Sequence, residues 1–195
     1  MINWFIKNFR KTKLWKIIIK FLGGTRLFPN RKLKLIKMAS INQISPYDEC
    51  LKVIQKGDII LNNICDLLNN FVIPGDYGHI ALYIGDNRVI DTRGLPVNYK
   101  ELKKLFEADT LMILRPQVSD EYKNKMIEEA KKYIGVPYDY QFRFDLKTGI
   151  YCSELIYLCD VDKLLEIPVK KRFGVDSVSP GDFLESSKFK IIQKW

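Results

Sequence analysis

Apolar residues recur at helical spacing over 2–22, where Trp4, Phe5, Phe9, Trp15, Ile18, Ile19 and Leu22 are mixed with lysines. On a helical wheel Trp4, Trp15, Ile19 and Leu22 cluster, but Ile6 and Phe9 fall among the basic residues, so the expected helix is only moderately amphipathic. Gly23-Gly24 stops it and Pro29-Asn30 marks a turn. A second basic run, Arg31–Lys37, alternates with Leu33, Leu35 and Ile36. From about residue 41 the spacing changes. Ser45-Pro46 is a helix start, an N-cap followed by proline at the first helical position, and that helix should run to about Ile54.

The next segments read as strands: Gly57–Leu61, then His79–Ile84, a turn at Gly85-Asp86-Asn87, and the returning Arg88–Asp91. Residues 98–106 suggest a short helix and Thr110–Leu114 another strand. Ser119-Asp120-Glu121 opens a strong helix through Tyr133, with Met126, Ile127 and Ala130 on one face, and Gly135-Val136-Pro137 breaks it. Tyr138–Phe144 reads as an aromatic extended stretch. Gly149 then leads into a helix that begins near Cys152, and Leu155, Ile156 and Leu158 supply its apolar positions. One or two helical turns at Pro180–Ser186 and a strand at Phe189–Ile192 close the chain. Strands and helices are mixed without a βαβ rhythm, so the expected class is α+β with a largely antiparallel sheet packed against the Cys152 helix.

The charge distribution separates the two parts. Residues 1–38 hold eleven Lys or Arg and no Asp or Glu, so the formal net charge of +9 belongs to this end and residues 39–195 carry about −2. The division is therefore a basic arm, 1–40, and one domain, 41–195. A nucleic-acid-binding body would carry its own basic face, so nucleic acid is not an expected partner. An interfacial helix on an anionic membrane surface through residues 1–37 is, with docking of the arm on the body as the alternative. Lys16 and Lys20 interrupt the apolar run Leu14–Leu22 and no clean cleavage site follows, which does not resemble a secretory signal. The expected location is cytoplasmic, peripheral at the membrane. The four cysteines lack metal spacing and only one histidine is present, so no metal or cofactor is expected.

Candidate chemistry centres on Cys152. A cysteine at a helix start meets unpaired N–H groups and the positive dipole end, both of which favour the nucleophilic thiolate. A small buried apolar role is the plainer alternative. If an imidazole base serves the thiol it must be His79, which stands at the start of a strand after a glycine-rich loop. Cys159, seven residues on, suits core packing; Cys50 and Cys65 have no helix-start context. Glu154 in the first turn favours the helix dipole rather than chemistry.

In the order Gly57–Leu61, Gly78–Gly85, Val89–Asp91, Gly135–Tyr140 and Tyr151–Leu155, the chain resembles the permuted papain-like cysteine hydrolases, the circularly permuted branch of the NlpC-type amidases. His79 precedes Cys152, as that branch requires. The resemblance covers residues 56–160. It implies a permuted papain-like α+β fold and a cysteine hydrolase that cleaves an acyl amide through a Cys152–His79 acyl-enzyme mechanism. The substrate would be a cell-wall peptide or a lipid-linked acyl group. It also implies a third residue twelve positions after the histidine, Asp91, to orient the ring. A two-residue hairpin at Asp86-Asn87 would pair 85 with 88 and set Asp91 on the face opposite His79, whereas a bulge would return it. Tyr77, Tyr138 and Tyr140 are the candidate substrate-binding residues, and the Cys152 backbone N–H is the candidate oxyanion donor. The alternatives are a lipid-directed acyltransferase or thioesterase of the same fold, or a catalytically idle membrane-surface module.

Overall fold

Local capping chemistry starts each of the two longer-range helices where the side chains provide for it. Ser45 accepts the Asp48 N–H at 3.2 Å and Pro46 occupies the first turn, giving α1 over Pro46–Val53. Ser119 accepts the Tyr122 N–H at 3.2 Å, with acidic residues in the first turn and lysines in the last, giving α2 over Asp120–Lys132. The structure, a computed structural model, describes residues 9, 12–15, 17–18, 45–64, 76–145, 149–172 and 174–195.

Six strands form the central antiparallel sheet: β1 Ile59–Asn63, β2 His79–Gly85, β3 Arg88–Asp91, β4 Asn98–Glu101, β5 Thr110–Pro116 and, last in the chain, β8 Phe189–Lys194. Their spatial order is β4-β3-β2-β1-β5-β8, every neighbour antiparallel. Period-two alternation splits the apolar residues between two faces. Ile59, Leu61, Ile80, Leu82, Ile90, Met112 and Leu114 meet α2 and α3 (Cys152–Cys159) in one core. Ile60, Ala81, Tyr83, Val89, Leu111 and Ile113 meet Cys50 of α1 and a 3₁₀ helix at Leu102–Phe106 in a second. The sheet is covered on both sides, so its middle strands are buried almost throughout. β6 Lys170–Arg172 and β7 Val175–Ser177, absent from the sequence reading, form a separate two-stranded hairpin. A second 3₁₀ helix occupies Pro180–Glu185. This is the α+β architecture expected, with the sheet packed against the Cys152 helix.

Two local expectations are corrected. Residues 98–106 are not one helix: Asn98–Glu101 adds an edge strand to β3, and only Leu102–Phe106 turns helical, where Leu102, Leu105 and Phe106 bury themselves. Tyr138–Phe144 is not extended. The Asp139 carboxylate accepts the N–H groups of Gln141 at 2.9 Å and Arg143 at 2.5 Å, which curls the segment, and Phe142 has a φ of 50°.

Most of the arm, including the expected helix ends, the Gly23-Gly24 stop and the second basic run, lies outside the described residues, as does Cys65. Within it Trp15 donates its indole N–H to the Tyr140 carbonyl at 2.9 Å, while Leu14 and Ile17 are exposed. Among the described residues no helix is long and apolar enough to cross a membrane.

Candidate active site

Cys152 owes its position to a close crossing of two chain segments. Gly149 has a φ of 140°, and a Cβ there would lie 2.3 Å from the Pro137 carbonyl oxygen, so only glycine fits. The contact lets the Ile150 N–H donate to Pro137 O at 2.9 Å and the Asp139 N–H to Ile150 O at 3.2 Å, a parallel bridge between Tyr138 and Ile150. α3 begins two residues later. Its first turn is pinned to Val178: Ser153 Oγ donates to Val178 O at 2.7 Å, and the Val178 N–H donates to the Tyr151 hydroxyl at 3.2 Å. Its far end is held where Tyr122 donates to the Asp160 carboxylate at 2.7 Å.

The thiol is buried, at 6% exposure, with the N–H groups of Ile80 and Ser153 directed at the sulfur. Burial pushes it up to about 11, although these two donors and the Arg93 guanidinium favour the thiolate. The helix-start advantage expected from the sequence is therefore outweighed by desolvation, and the resting site holds a thiol. Among the described cysteines it is still the least suppressed: burial sends Cys50 to about 12 and Cys159 higher.

Ile80, whose N–H meets the sulfur, is the residue after His79, so thiol and imidazole share one end of β2. His79 is 2% exposed and Asp91 1% exposed, and His79 Nε2 lies 2.7 Å from Asp91 Oδ2. The hairpin that joins them turns through Asp86 and Asn87, both with positive φ, and pairs Gly85 with Arg88. A register shift between Tyr83 and Gly85 then pairs Leu82 with Ile90. One further step of that register sets Asp91 opposite Ala81, on the face that Ala81 and His79 share. The bulge is what allows the pair to form.

Burial, then the Arg93 charge, brings His79 down to about 4 against the pull of Asp91. Burial alone would raise Asp91, but the hydrogen bond and charge of His79 and the Lys100 ammonium outweigh it and hold the carboxyl at about 2. Lys100 Nζ lies 2.7 Å from Oδ1. At neutral pH the ring is thus neutral and gives its Nε2 proton to an ionised carboxylate. Nδ1 keeps the lone pair and has no hydrogen-bond partner among the described residues, and no hydrogen bond yet joins it to the thiol.

The three tyrosines part ways. Tyr77 is buried at 3% exposure in the core between sheet and helices. Tyr138 is half-buried in the electrostatic neighbourhood of Cys152 and Arg93, its ring edge-on to Tyr140 and Phe142. Tyr140 donates its hydroxyl to Gly94 O. Glu154 accepts the Tyr151 N–H at 3.4 Å, and burial raises its carboxyl to about 8. Its charge is therefore mostly absent at neutral pH.

Arg93 and Lys100 were not singled out by the sequence. A basic residue in the Thr92-Arg93-Gly94 turn just after Asp91 was the only signal for Arg93. Its Nη2 donates to Asn62 Oδ1 at 2.6 Å, and Asn62 stands opposite His79 in the β1–β2 register.

The profile of a family described as permuted papain-like amidase enzymes, YaeF/YiiX, C92, matches residues 53–192. The crystal structure of YiiX from Escherichia coli O157:H7, described as a metalloprotein, superposes with a TM-score of 0.62 at 23% identity, covering 72% of this chain and 97% of that one. No curated protein matches the chain. A metal does not fit the residues described here: no three His, Cys, Asp or Glu side chains among them gather as ligands, and the one histidine is engaged by Asp91.

Proposed function

The chain belongs to the permuted papain-like amidase family, a family of papain-like hydrolases, and from that premise we propose a cysteine hydrolase acting on an acyl amide through Cys152. The observation that carries this reading is the buried His79–Asp91 pair, 2.7 Å apart, at the end of β2 whose next N–H meets the Cys152 sulfur. His79 Nδ1 takes the thiol proton as the sulfur attacks the carbonyl carbon. Asp91 holds the ring so that Nδ1 is the free nitrogen and stabilises the imidazolium that forms. The Cys152 N–H, at the start of α3, faces the developing oxyanion. The imidazolium then protonates the leaving amine, and a thioester to Cys152 remains. Water, deprotonated by the neutral ring, attacks the thioester; the acid leaves and the thiol regains its proton.

The cluster of Tyr138, Tyr140 and Phe142, in which Tyr138 lies near the thiol, supports an apolar acyl group, and with it the second reading, an acyltransferase or thioesterase in which an amine or water resolves the same thioester. The exposed Leu14 and Ile17 in a basic arm whose Trp15 docks near this cluster support presentation of the site to an anionic lipid surface.

The test is turnover of acyl amides, acyl esters and murein peptides by wild type and Cys152→Ala, with the acyl adduct sought by mass spectrometry. The expected result is amine or alcohol release by wild type alone and an acyl mass on the peptide containing Cys152. Turnover retained by Cys152→Ala would sink the proposal.

A further inference from the structure

The site has an imbalance of charge that the hydrolytic mechanism does not use. Two cations, Arg93 and Lys100, face one carboxylate, Asp91, while the thiol and the ring are neutral. Asp91 already gives one oxygen to His79 and the other to Lys100. Arg93 is half-buried and feels the charges of Asp91, Cys152 and Tyr138, yet its one hydrogen bond among the described residues goes to the neutral amide of Asn62. No Asp or Glu among the described residues lies within ion-pair distance of it. A guanidinium offers five N–H donors, and most of these have no partner among the described residues.

Withdrawing a charge from water without a counter-charge is unfavourable. The guanidinium is nevertheless held in place. Asn62 is itself fixed by donating Nδ2–H to Leu105 O at 2.6 Å, and the following residue, Gly94, accepts the Tyr140 hydroxyl. A rigid, under-partnered cation beside a nucleophile is the arrangement expected of a receptor for an anion that arrives with the substrate. One negative charge cancels the one cation in excess; a doubly charged phosphate would instead crowd Asp91. The planar fork of the guanidinium also matches the two oxygens of a carboxylate.

We propose that Arg93 is a specificity-determining residue that binds a carboxylate carried by the acyl substrate close to its scissile carbonyl. The inference rests on Cys152 being the nucleophile, and it assigns the substrate class of that same site: acyl compounds bearing a carboxylate beside the bond to be cleaved.

Alkylation by a charged and a neutral reagent of nearly the same size tests it without knowledge of the substrate. The full chain is treated with iodoacetate or iodoacetamide at neutral pH and low salt, and the Cys152 adduct is followed by peptide mass spectrometry, with glutathione as reference thiol. The iodoacetate-to-iodoacetamide rate ratio at Cys152 should exceed that of glutathione by about tenfold. Arg93→Gln, which keeps a donor for Asn62, should bring the ratio to within about twofold of glutathione, and Arg93→Lys should retain part of the preference. A wild-type ratio equal to that of glutathione overturns the inference even if Arg93→Gln cannot be folded, and so does a raised ratio that survives in Arg93→Gln. Cys152 inert to both reagents would instead remove the nucleophile itself, and the inference with it.

Discussion

Replacing Asp91 with asparagine keeps the shape of the site and removes one charge. The amide oxygen can still accept the Nε2 proton, so the ring keeps the tautomer that leaves Nδ1 free. What is lost is the carboxylate beside the imidazolium that forms when the thiol gives up its proton. Opposite charges about 4 Å apart interact by about 4 kcal/mol at an effective dielectric constant near 20. Hydrogen bonds to charged groups are worth about 1.5–3 kcal/mol net. The 2.7 Å bond is buried on both sides, so the upper part of that range applies, about 2–3 kcal/mol. Lys100 loses its partner as well, but its side chain is 27% exposed and can turn to water. At 1.36 kcal/mol per factor of ten, kcat/KM should fall roughly 30- to 150-fold. Asp91 also disfavours the thiolate, so iodoacetamide labelling of Cys152 should not slow in the variant. The assay is steady-state turnover of the best substrate from the Cys152→Ala screen, beside labelling of the same preparations. Turnover in Asp91→Asn within threefold of wild type would refute the reasoning and leave a Cys152–His79 dyad.

Cys152 should be alkylated by iodoacetamide before Cys50 or Cys159, both fully buried and both with thiols pushed further up; peptide mapping that finds either labelled first contradicts the assignment. Glu154, raised to about 8 from 4.5 by burial, binds a proton in the folded state that the unfolded chain has lost, so its contribution to stability is full below pH 4.5 and disappears as pH rises through 8. Between pH 6.5 and 8 wild type should therefore lose on the order of 1–2 kcal/mol, read from urea midpoints, and Glu154→Gln should be flat across that window; equal slopes would disprove it. Deleting residues 1–40 removes the Trp15–Tyr140 bond, about 1 kcal/mol, and should abolish co-sedimentation with phosphatidylglycerol vesicles; a full chain that ignores such vesicles at low salt would remove the membrane reading.

The sequence by itself determined the elements whose signals are local. Ser45-Pro46 and Ser119-Asp120-Glu121 announce helices because a side-chain cap and a first-turn charge act within one turn. Asp86-Asn87 announces a tight hairpin because both residues accept positive φ. The ordered segments Gly57–Leu61, Gly78–Gly85, Val89–Asp91, Gly135–Tyr140 and Tyr151–Leu155, with His79 before Cys152, carried the resemblance that named the fold. Elements whose state depends on a distant partner were misread. Asn98–Glu101 is a strand because β3 offers a free edge; the 138–144 segment, by contrast, curls through local bonds to the Asp139 carboxylate that its aromatic run concealed. The site divides in the same way. That Asp91 lies on the face of His79 depends on one bulge, because side chains alternate with period two and a single inserted residue exchanges the faces. The charge states depend on burial: a helix-start cysteine reads as a thiolate in sequence, but removal of water from the folded site keeps it a thiol beside a neutral ring. Arg93 was invisible for the same reason. One arginine in a turn has no meaning until folding sets it beside the thiol with an amide as its one hydrogen-bond partner among the described residues, and that juxtaposition exists in the tertiary structure alone.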